Sequence, residues 1–236
     1  MALKVNEIFY SLQGEGLLTG TPTVFIRLQG CNLYPDRCCV WCDTSYAQEV
    51  NSGLEIASKD IVEKCINLIG DPTNFWVCIT GGEPLLQEED LFILVRDLKS
   101  RRFKVEIETN GTITKPRWWT RVNSWSVDLK CPSSGVSDLA LIKDWIDIKA
   151  EDQIKFVVGS KEDLAFARRI IQDRSNKNPT VLVSPVARLL HKTNLDEDSV
   201  GWDQDWLQEV AEFCKDTKVN FSLQLHKLIW GNKRGV

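Results

Sequence analysis

Four of the chain's eight cysteines, Cys31, Cys38, Cys39 and Cys42, fall on one short stretch. In a reducing compartment, thiols crowded on a loop bind metal or do chemistry more often than they form disulfides. The first residues lack the apolar core of a signal peptide, and no apolar run long enough to span a membrane follows. A cytoplasmic protein with no membrane partner is therefore expected. A structural zinc site asks for four Cys or His ligands, commonly as two paired knuckles. Only Cys39 and Cys42 form such a pair, and His191 and His226 are remote in sequence. A thioredoxin-like redox pair needs two cysteines at a helix start and little else nearby. An iron–sulfur cubane suits three thiolates from one compact loop, which leave one iron open to a further ligand. Cys31 is the natural third ligand beside Cys39 and Cys42. Cys38 rivals Cys39, although Cys39 alone keeps a two-residue gap to Cys42. Cys65, Cys78, Cys131 and Cys214 lie in apolar surroundings and read as small core residues.

Rigid elements must hold such a loop. Short β-branched runs at residues 23–29, 75–80, 104–109, 126–129, 153–158, 180–184 and 220–225 read as strands. Residues 58–69 place Ile61, Val62, Cys65, Ile66 and Ile69 on one helical stripe, with Ser58 as its cap. Residues 88–101, 161–174 and 203–217 behave likewise. Strand–helix alternation with apolar strands predicts an α/β fold with parallel pairing, either an open sheet or a partial barrel. The cysteine loop directly follows strand 23–29, at the edge where such folds carry their chemistry. No repeat, low-complexity tract or long linker divides the chain, so one domain over 1–236 is expected. A net charge of −4 gives no basic field for nucleic acid. The nine tryptophans lack a surrounding basic stripe and read as packing groups rather than base-stacking platforms.

With Tyr34-Pro35-Asp36-Arg37 excised, the cysteine spacing C-x7-C-x2-C becomes C-x3-C-x2-C. That pattern resembles the cluster loop of radical S-adenosylmethionine (SAM) enzymes. Thr80-Gly81-Gly82-Glu83-Pro84 and Glu108-Thr109-Asn110-Gly111-Thr112, each after a strand, look like two further motifs of that superfamily. Ser11-Leu12-Gln13-Gly14-Glu15-Gly16, Phe25-Ile26-Arg27-Leu28-Gln29-Gly30-Cys31, Trp41-Cys42-Asp43-Thr44 and Gln224-Leu225-His226-Lys227 narrow the match. In this order they resemble the 7-carboxy-7-deazaguanine synthase family of 7-deazapurine (queuosine) biosynthesis. The insertion at 34–37 is the one departure, and a loop absorbs four residues at modest closure cost.

The resemblance implies a partial, modified (β/α)6 TIM-like barrel and a lyase with three cofactors. Cys31, Cys39 and Cys42 would hold a [4Fe-4S] cluster, with the radical SAM domain's cluster loop at 31–42. Thr44 would bind Mg2+, completed by substrate oxygens and waters; read alone, it caps a turn. SAM would meet Trp41, Cys42, Asp43, Gly82, Glu83, Asp128, Leu129, Lys130 and Ser184. Glu83 serves equally well as a helix-start carboxylate facing the dipole. The implied substrate, 6-carboxy-5,6,7,8-tetrahydropterin, would meet Leu12, Gln13, Gly14, Arg27, Thr80, Glu108, His226 and Val236. Arg27 lies on the strand face opposite Val24, Ile26 and Leu28, and offers a guanidinium fork to a carboxylate. Glu108 suits the pterin's guanidine-like edge. His226, two positions after Gln224, shares its side if the strand continues. The tail after His226 would fold back over the pocket.

The implied reaction is reductive cleavage of SAM, hydrogen abstraction from C6 of the pterin, ring contraction with loss of ammonia, and return of SAM. A flavodoxin or ferredoxin would supply the electron, and the assembly would be a homodimer. Two other readings stay open: a radical SAM activase for glycyl-radical enzymes, which should lack a pocket of Gln13, Arg27, Glu108 and His226, and a zinc-stabilised binding module.

Overall fold

The computed structural model describes residues 2–174, 179–189 and 200–236, so His191 lies outside the described residues. In chain order the elements are β1 (Ala2–Leu12), β2 (Pro22–Leu28), β3 (Leu54–Ala57), α1 (Ser58–Ile69), β4 (Trp76–Gly81), α2 (Glu88–Ser100), β5 (Lys104–Thr109) and β6 (Ser124–Asp128). There follow α3 (Ile142–Trp145), β7 (Gln153–Val158), α4 (Lys161–Asp173), β8 (Thr180–Pro185), β9 (Arg188–Leu189), β10 (Val200–Gly201), α5 (Gln204–Thr217), β11 (Asn220–Phe221) and α6 (Leu225–Trp230). The large sheet runs β11-β8-β7-β6-β5-β4-β2-β1-β3 and stays open. Strands β2, β4, β5, β6, β7 and β8 pair in parallel, as the sequence predicts. β1 and β3 extend one edge antiparallel.

Side-chain alternation along the parallel strands decides what each face does. Val24, Ile26, Val77, Ile79, Val105 and Ile107 point to one side and are fully buried. On α2, Leu91, Leu94 and Leu98 are equally buried against that core, and α1, α4 and α5 contribute to it. No α-helix fills the crossover between β5 and β6. Indoles take its place: Trp118, Trp125 and Trp145 pack tilted against one another with centroids 5.9 and 5.4 Å apart. Trp125 Nε1 donates to Trp119 O at 2.9 Å and Trp145 Nε1 to Ile113 O at 3.0 Å, so the rings are buried without orphaned donors. The packing reading of these tryptophans holds.

The other face of the sheet is polar. Register sets Arg27 beside Thr80, Cys78 beside Glu106, Glu108 beside Ser126, and Asp128 beside Lys155. A strand with one apolar and one polar face normally turns the polar side to water. Here Arg27, Thr80, Glu108, Asp128 and Lys155 of that face line a cleft instead.

Three expectations need correcting. The strand expected at 220–225 ends at Phe221, and His226 sits on α6. Leu225 N donates to Gly14 O at 2.8 Å and Lys227 N to Gln224 O at 3.0 Å, so loop and helix bonds claim the donors a strand would use. Ser58 is not the cap of α1. It lies inside the helix, and its hydroxyl donates to Asp97 on α2 at 2.8 Å. β6 begins at Ser124 and ends at Asp128, so Leu129 lies beyond the strand.

Candidate functional site

A cleft of about 310 Å³ opens where β2, β4, β5, β6 and β7 end. Cys31, Cys39 and Cys42 line one side of it. Cys38 is exposed and does not line it; its sulfur lies 3.8 Å from Pro35 O and 3.9 Å from Gln48 Oε1. The inserted residues explain the difference. Arg37 Nη2 bonds Asp138 Oδ1 at 2.6 Å, which anchors the insertion outside the cleft, and Val40 N donates to Ser134 O at 3.1 Å. Leu33, Val136 and Leu139 pack around Cys31 and Cys39. Burial pushes the Cys31 thiol up to about 11; burial also raises Cys39, opposed by the Lys130 ammonium. Three thiols from one loop, set in a partly apolar rim, suit a cubane better than a closed zinc site.

The two glycine-bearing motifs brace this loop. Glu83 is fully buried and accepts from Leu85 N at 3.0 Å, Thr109 Oγ1 at 3.0 Å and Asn110 N at 2.7 Å. Asn110 Nδ2 in turn donates to Asn32 Oδ1 at 3.0 Å and approaches Cys31 Sγ at 4.0 Å. Gly82 is needed for a close approach of backbones: a Cβ there would meet Gly30 O at 2.2 Å, at the start of the cysteine loop.

Beyond the thiols, Trp41, Asp43, Gly82, Asp128 and Lys130 line the cleft. Lys130 Nζ lies 2.7 Å from Asp128 Oδ2, whereas Asp128 Oδ1 is buried with no hydrogen-bond partner. A buried carboxylate oxygen without a donor is costly unless a ligand supplies one. The cleft thus fits a cofactor carrying hydroxyl or ammonium donors beside the thiols. Thr44 also lines it, with its hydroxyl donating to Asp43 Oδ1 at 3.0 Å.

The floor carries Arg27, whose Nε bonds Glu7 at 2.8 Å. Its guanidinium sits between the rings of Phe9 and Tyr46, at 5.9 and 5.7 Å. Among the described residues, no hydrogen bond engages its two terminal nitrogens. Gln13 Nε2 donates to Glu108 Oε1 at 3.2 Å, and Thr80 Oγ1 to Glu108 Oε2 at 2.8 Å. Glu15 pairs with Lys155 and accepts from Gln224 Nε2 at 2.7 Å. Burial would raise the Glu15 carboxyl, but Lys155 and His226 outweigh it and bring it down to about 2. Burial lowers the His226 imidazole, only partly offset by Glu15 and Asp43.

The tail forms a roof. Lys227 Nζ bonds Asp43 Oδ2 at 2.7 Å, Arg234 Nε bonds Glu7 Oε2 at 3.1 Å, and the Arg234 guanidinium lies 3.8 Å over the Tyr46 ring. Residues 231–236 line the cleft, Val236 among them. Burial would raise Asp43, yet the Lys227 ammonium reverses this and holds the carboxyl well below its usual range.

Leu12, Gln13, Gly14, Arg27, Thr80, Glu108 and His226 all reach the cleft, as do the three expected thiols. Glu83, Leu129 and Ser184 do not. Glu83 spends its oxygens on backbone and Thr109, as the alternative helix-start reading has it, and Leu129 is core. Ser184 is buried, and Val186 and Ala187 line the cleft instead. Sequence reasoning missed Glu15, Lys155, Asn110, Tyr46 and Arg234. Glu15 and Asn110 stood inside the quoted motifs, and Lys155 was legible as a lone charge in an apolar strand. Tyr46 and Arg234 carried no local signal.

A family model described as "4Fe-4S single cluster domain" matches residues 12–117. The 7-carboxy-7-deazaguanine synthase of Methanospirillum hungatei is 37% identical over 230 residues, covering 96% of this chain and 85% of that protein. That of Clostridium acetobutylicum is 34% identical over the whole of both chains. Among solved structures, the crystal structure of QueE from Escherichia coli superposes with a TM-score of 0.67 at 25% identity, covering 96% of this chain and 95% of that one.

Proposed function

The chain belongs to the 7-carboxy-7-deazaguanine synthase family, and from that premise we propose its reaction. It is a radical SAM lyase that converts 6-carboxy-5,6,7,8-tetrahydropterin to 7-carboxy-7-deazaguanine with loss of ammonia. One observation carries this reading: three thiols face, across a single cleft, a polar floor suited to a carboxylate and a guanidine-like edge.

Cys31, Cys39 and Cys42 hold a [4Fe-4S] cluster. When bound, cluster and SAM supply one-electron chemistry that no side chain provides. Trp41, Asp43, Gly82 and the Asp128–Lys130 pair receive SAM; the unpartnered Asp128 oxygen supports this, because a ligand donor there removes a desolvation cost. The free terminal nitrogens of Arg27 grip the substrate carboxylate, already aligned by Glu7 and two rings. Glu108, steadied by Thr80 and Gln13, accepts hydrogen bonds from the guanidine-like edge. Leu12, Gly14 and His226 close the remaining side, and His226 offers hydrogen bonding without added positive charge. Thr44, beside Asp43, takes a magnesium ion that orients substrate oxygens. The tail from Gly231 to Val236 excludes water, which a reactive carbon intermediate requires.

Residues 1–236 act as one domain, a reading supported by the single large sheet. Electrons arrive from a flavodoxin or ferredoxin at the cysteine loop, where Val40 is 75% exposed. Homodimer assembly and a cytoplasmic location follow from the resemblance. Among the described residues, no helix is long and apolar enough to cross a membrane.

The test is anaerobic turnover of reconstituted protein with SAM, magnesium, reductant and the carboxypterin. Ammonia and a deazaguanine chromophore should appear together. Consumption of SAM with neither product would overturn the reading.

A further inference from the structure

Glu106 has no place in the chemistry described so far, yet it lies directly beneath it. It is 1% exposed and does not line the cleft, so it cannot touch a ligand. Both of its oxygens accept amide hydrogens: Oε2 from Gln13 Nε2 at 2.8 Å and Oε1 from Gln153 Nε2 at 3.4 Å. Gln13 Nε2 also reaches Glu108 Oε1 at 3.2 Å and Cys78 Sγ at 3.6 Å, and its Oε1 accepts from Glu15 N at 3.3 Å. Gln153 Oε1 accepts from Leu17 N at 2.7 Å. The chain of bonds therefore runs unbroken from the loop at 13–17, through the buried floor, to Glu108.

We propose that Glu106 is a positioning residue: through Gln13 it fixes the Glu108 carboxylate, and through Gln153 it seats the loop that frames the pterin's guanidine-like edge.

Two observations support this. First, the loop fits the floor closely. Gly16 has φ +75°, and a Cβ there would lie 2.2 Å from Gln153 Nε2, so the loop rests directly on that amide. Second, the bonds account for the buried Glu106 carboxyl and the half-buried Glu108 carboxyl without a cation, although Cys78, Glu106 and Glu108 place ligand-type atoms within 4.8 Å of one another. Burial, and after it the neighbouring Glu108, raises the Glu106 carboxyl. A glutamine keeps one of the two acceptor oxygens, and a leucine of similar size removes every polar bond.

The inference deepens the proposed function and rests on it. Kinetics of the reconstituted holoenzyme test it with Glu106→Leu and Glu106→Gln. Glu106→Leu should raise KM for the carboxypterin at least about tenfold, while KM for SAM stays within about twofold. Glu106→Gln, which keeps one acceptor oxygen, should give a clearly smaller rise in KM for the carboxypterin than Glu106→Leu. A merely structural role predicts otherwise: both KM values move together, and the glutamine variant gives no rescue. That result, or an unchanged carboxypterin KM in Glu106→Leu, overturns the proposal. Should Glu106→Leu not fold, Gln153→Ala takes its place and must give the same selective rise; an unchanged KM there overturns it as well. Wild-type protein that fails to convert the carboxypterin would instead strike at the proposed function.

Discussion

Single side chains in the cleft make separable claims. Arg27 offers the substrate a planar fork, which a lysine replaces with a point charge. Arg27→Lys should raise KM for the carboxypterin about tenfold to a hundredfold, as expected for losing a charge-assisted hydrogen bond. An analogue without the carboxylate should not distinguish the two proteins in a competition assay. Asp128 makes the complementary claim for the cofactor, since one of its oxygens waits for a donor. Asp128→Asn should weaken SAM about tenfold in an anaerobic equilibrium titration and leave carboxypterin affinity alone. Much at this scale was legible beforehand. Arg27 announced itself as a charge in an apolar strand, and the three thiols by their spacing. Glu83 was named as a motif member and Ser184 as an implied SAM contact, yet neither lines the cleft, because sequence gives a side chain's neighbours along the chain and not its direction. Glu83 turns inward because Asn110 N and Leu85 N both need an acceptor there.

Loops and helices decide which of those side chains meet. The cysteine loop keeps Cys39 facing in because Arg37 ties the insertion to Asp138 on the outside. The roof is held by two pairs, each half-exposed on one side. Glu7 keeps Arg27 when Arg234 is removed, whereas among the described residues Lys227 is the one salt-bridge partner of Asp43. A pair backed by a second cation contributes little, about 0–1 kcal/mol. Arg234→Ala should therefore raise KM for the carboxypterin less than about fivefold, and Lys227→Ala clearly more, as steady-state kinetics will show. Equal effects would mean that the roof is not held through Asp43. The central strands were readable from their period-two pattern. β1 could have been, since Leu3 and Val5 are buried and alternate with Lys4 and Asn6. The run after Phe221 could not. Its alternation imitates a strand, and the bonds from Leu225 N to Gly14 O and from Lys227 N to Gln224 O turn it.

The whole molecule is an open sheet with its polar face turned inward, and that arrangement has a cost in stability. Glu106 carries a carboxyl raised to about 8 by burial and then by Glu108. Its folded value exceeds its unfolded one, so the folded state binds that proton more tightly. Its contribution is complete below about pH 4.5 and is lost as pH rises toward 8. Glu15 behaves in the opposite sense: its contribution is present above about pH 4.5 and is lost as pH falls toward 2. Anaerobic thermal melting should thus decline on both sides of mildly acidic pH, and Glu106→Gln should flatten the alkaline limb alone. An alkaline limb identical in that variant would show that another group causes it. The fold class was readable because apolar strands alternate with amphipathic helices. The inward polar face was not, since the same alternation describes a sheet wetted on one side.

The account depends most on three particular thiols gathering one cluster at the mouth of the cleft. Low-temperature electron paramagnetic resonance of the reduced, reconstituted protein examines that directly. Wild type and Cys38→Ala should both show a cubane signal that changes when SAM is added, and Cys39→Ala should lose it. A signal indifferent to SAM, or one that survives in Cys39→Ala and vanishes in Cys38→Ala, would contradict the account.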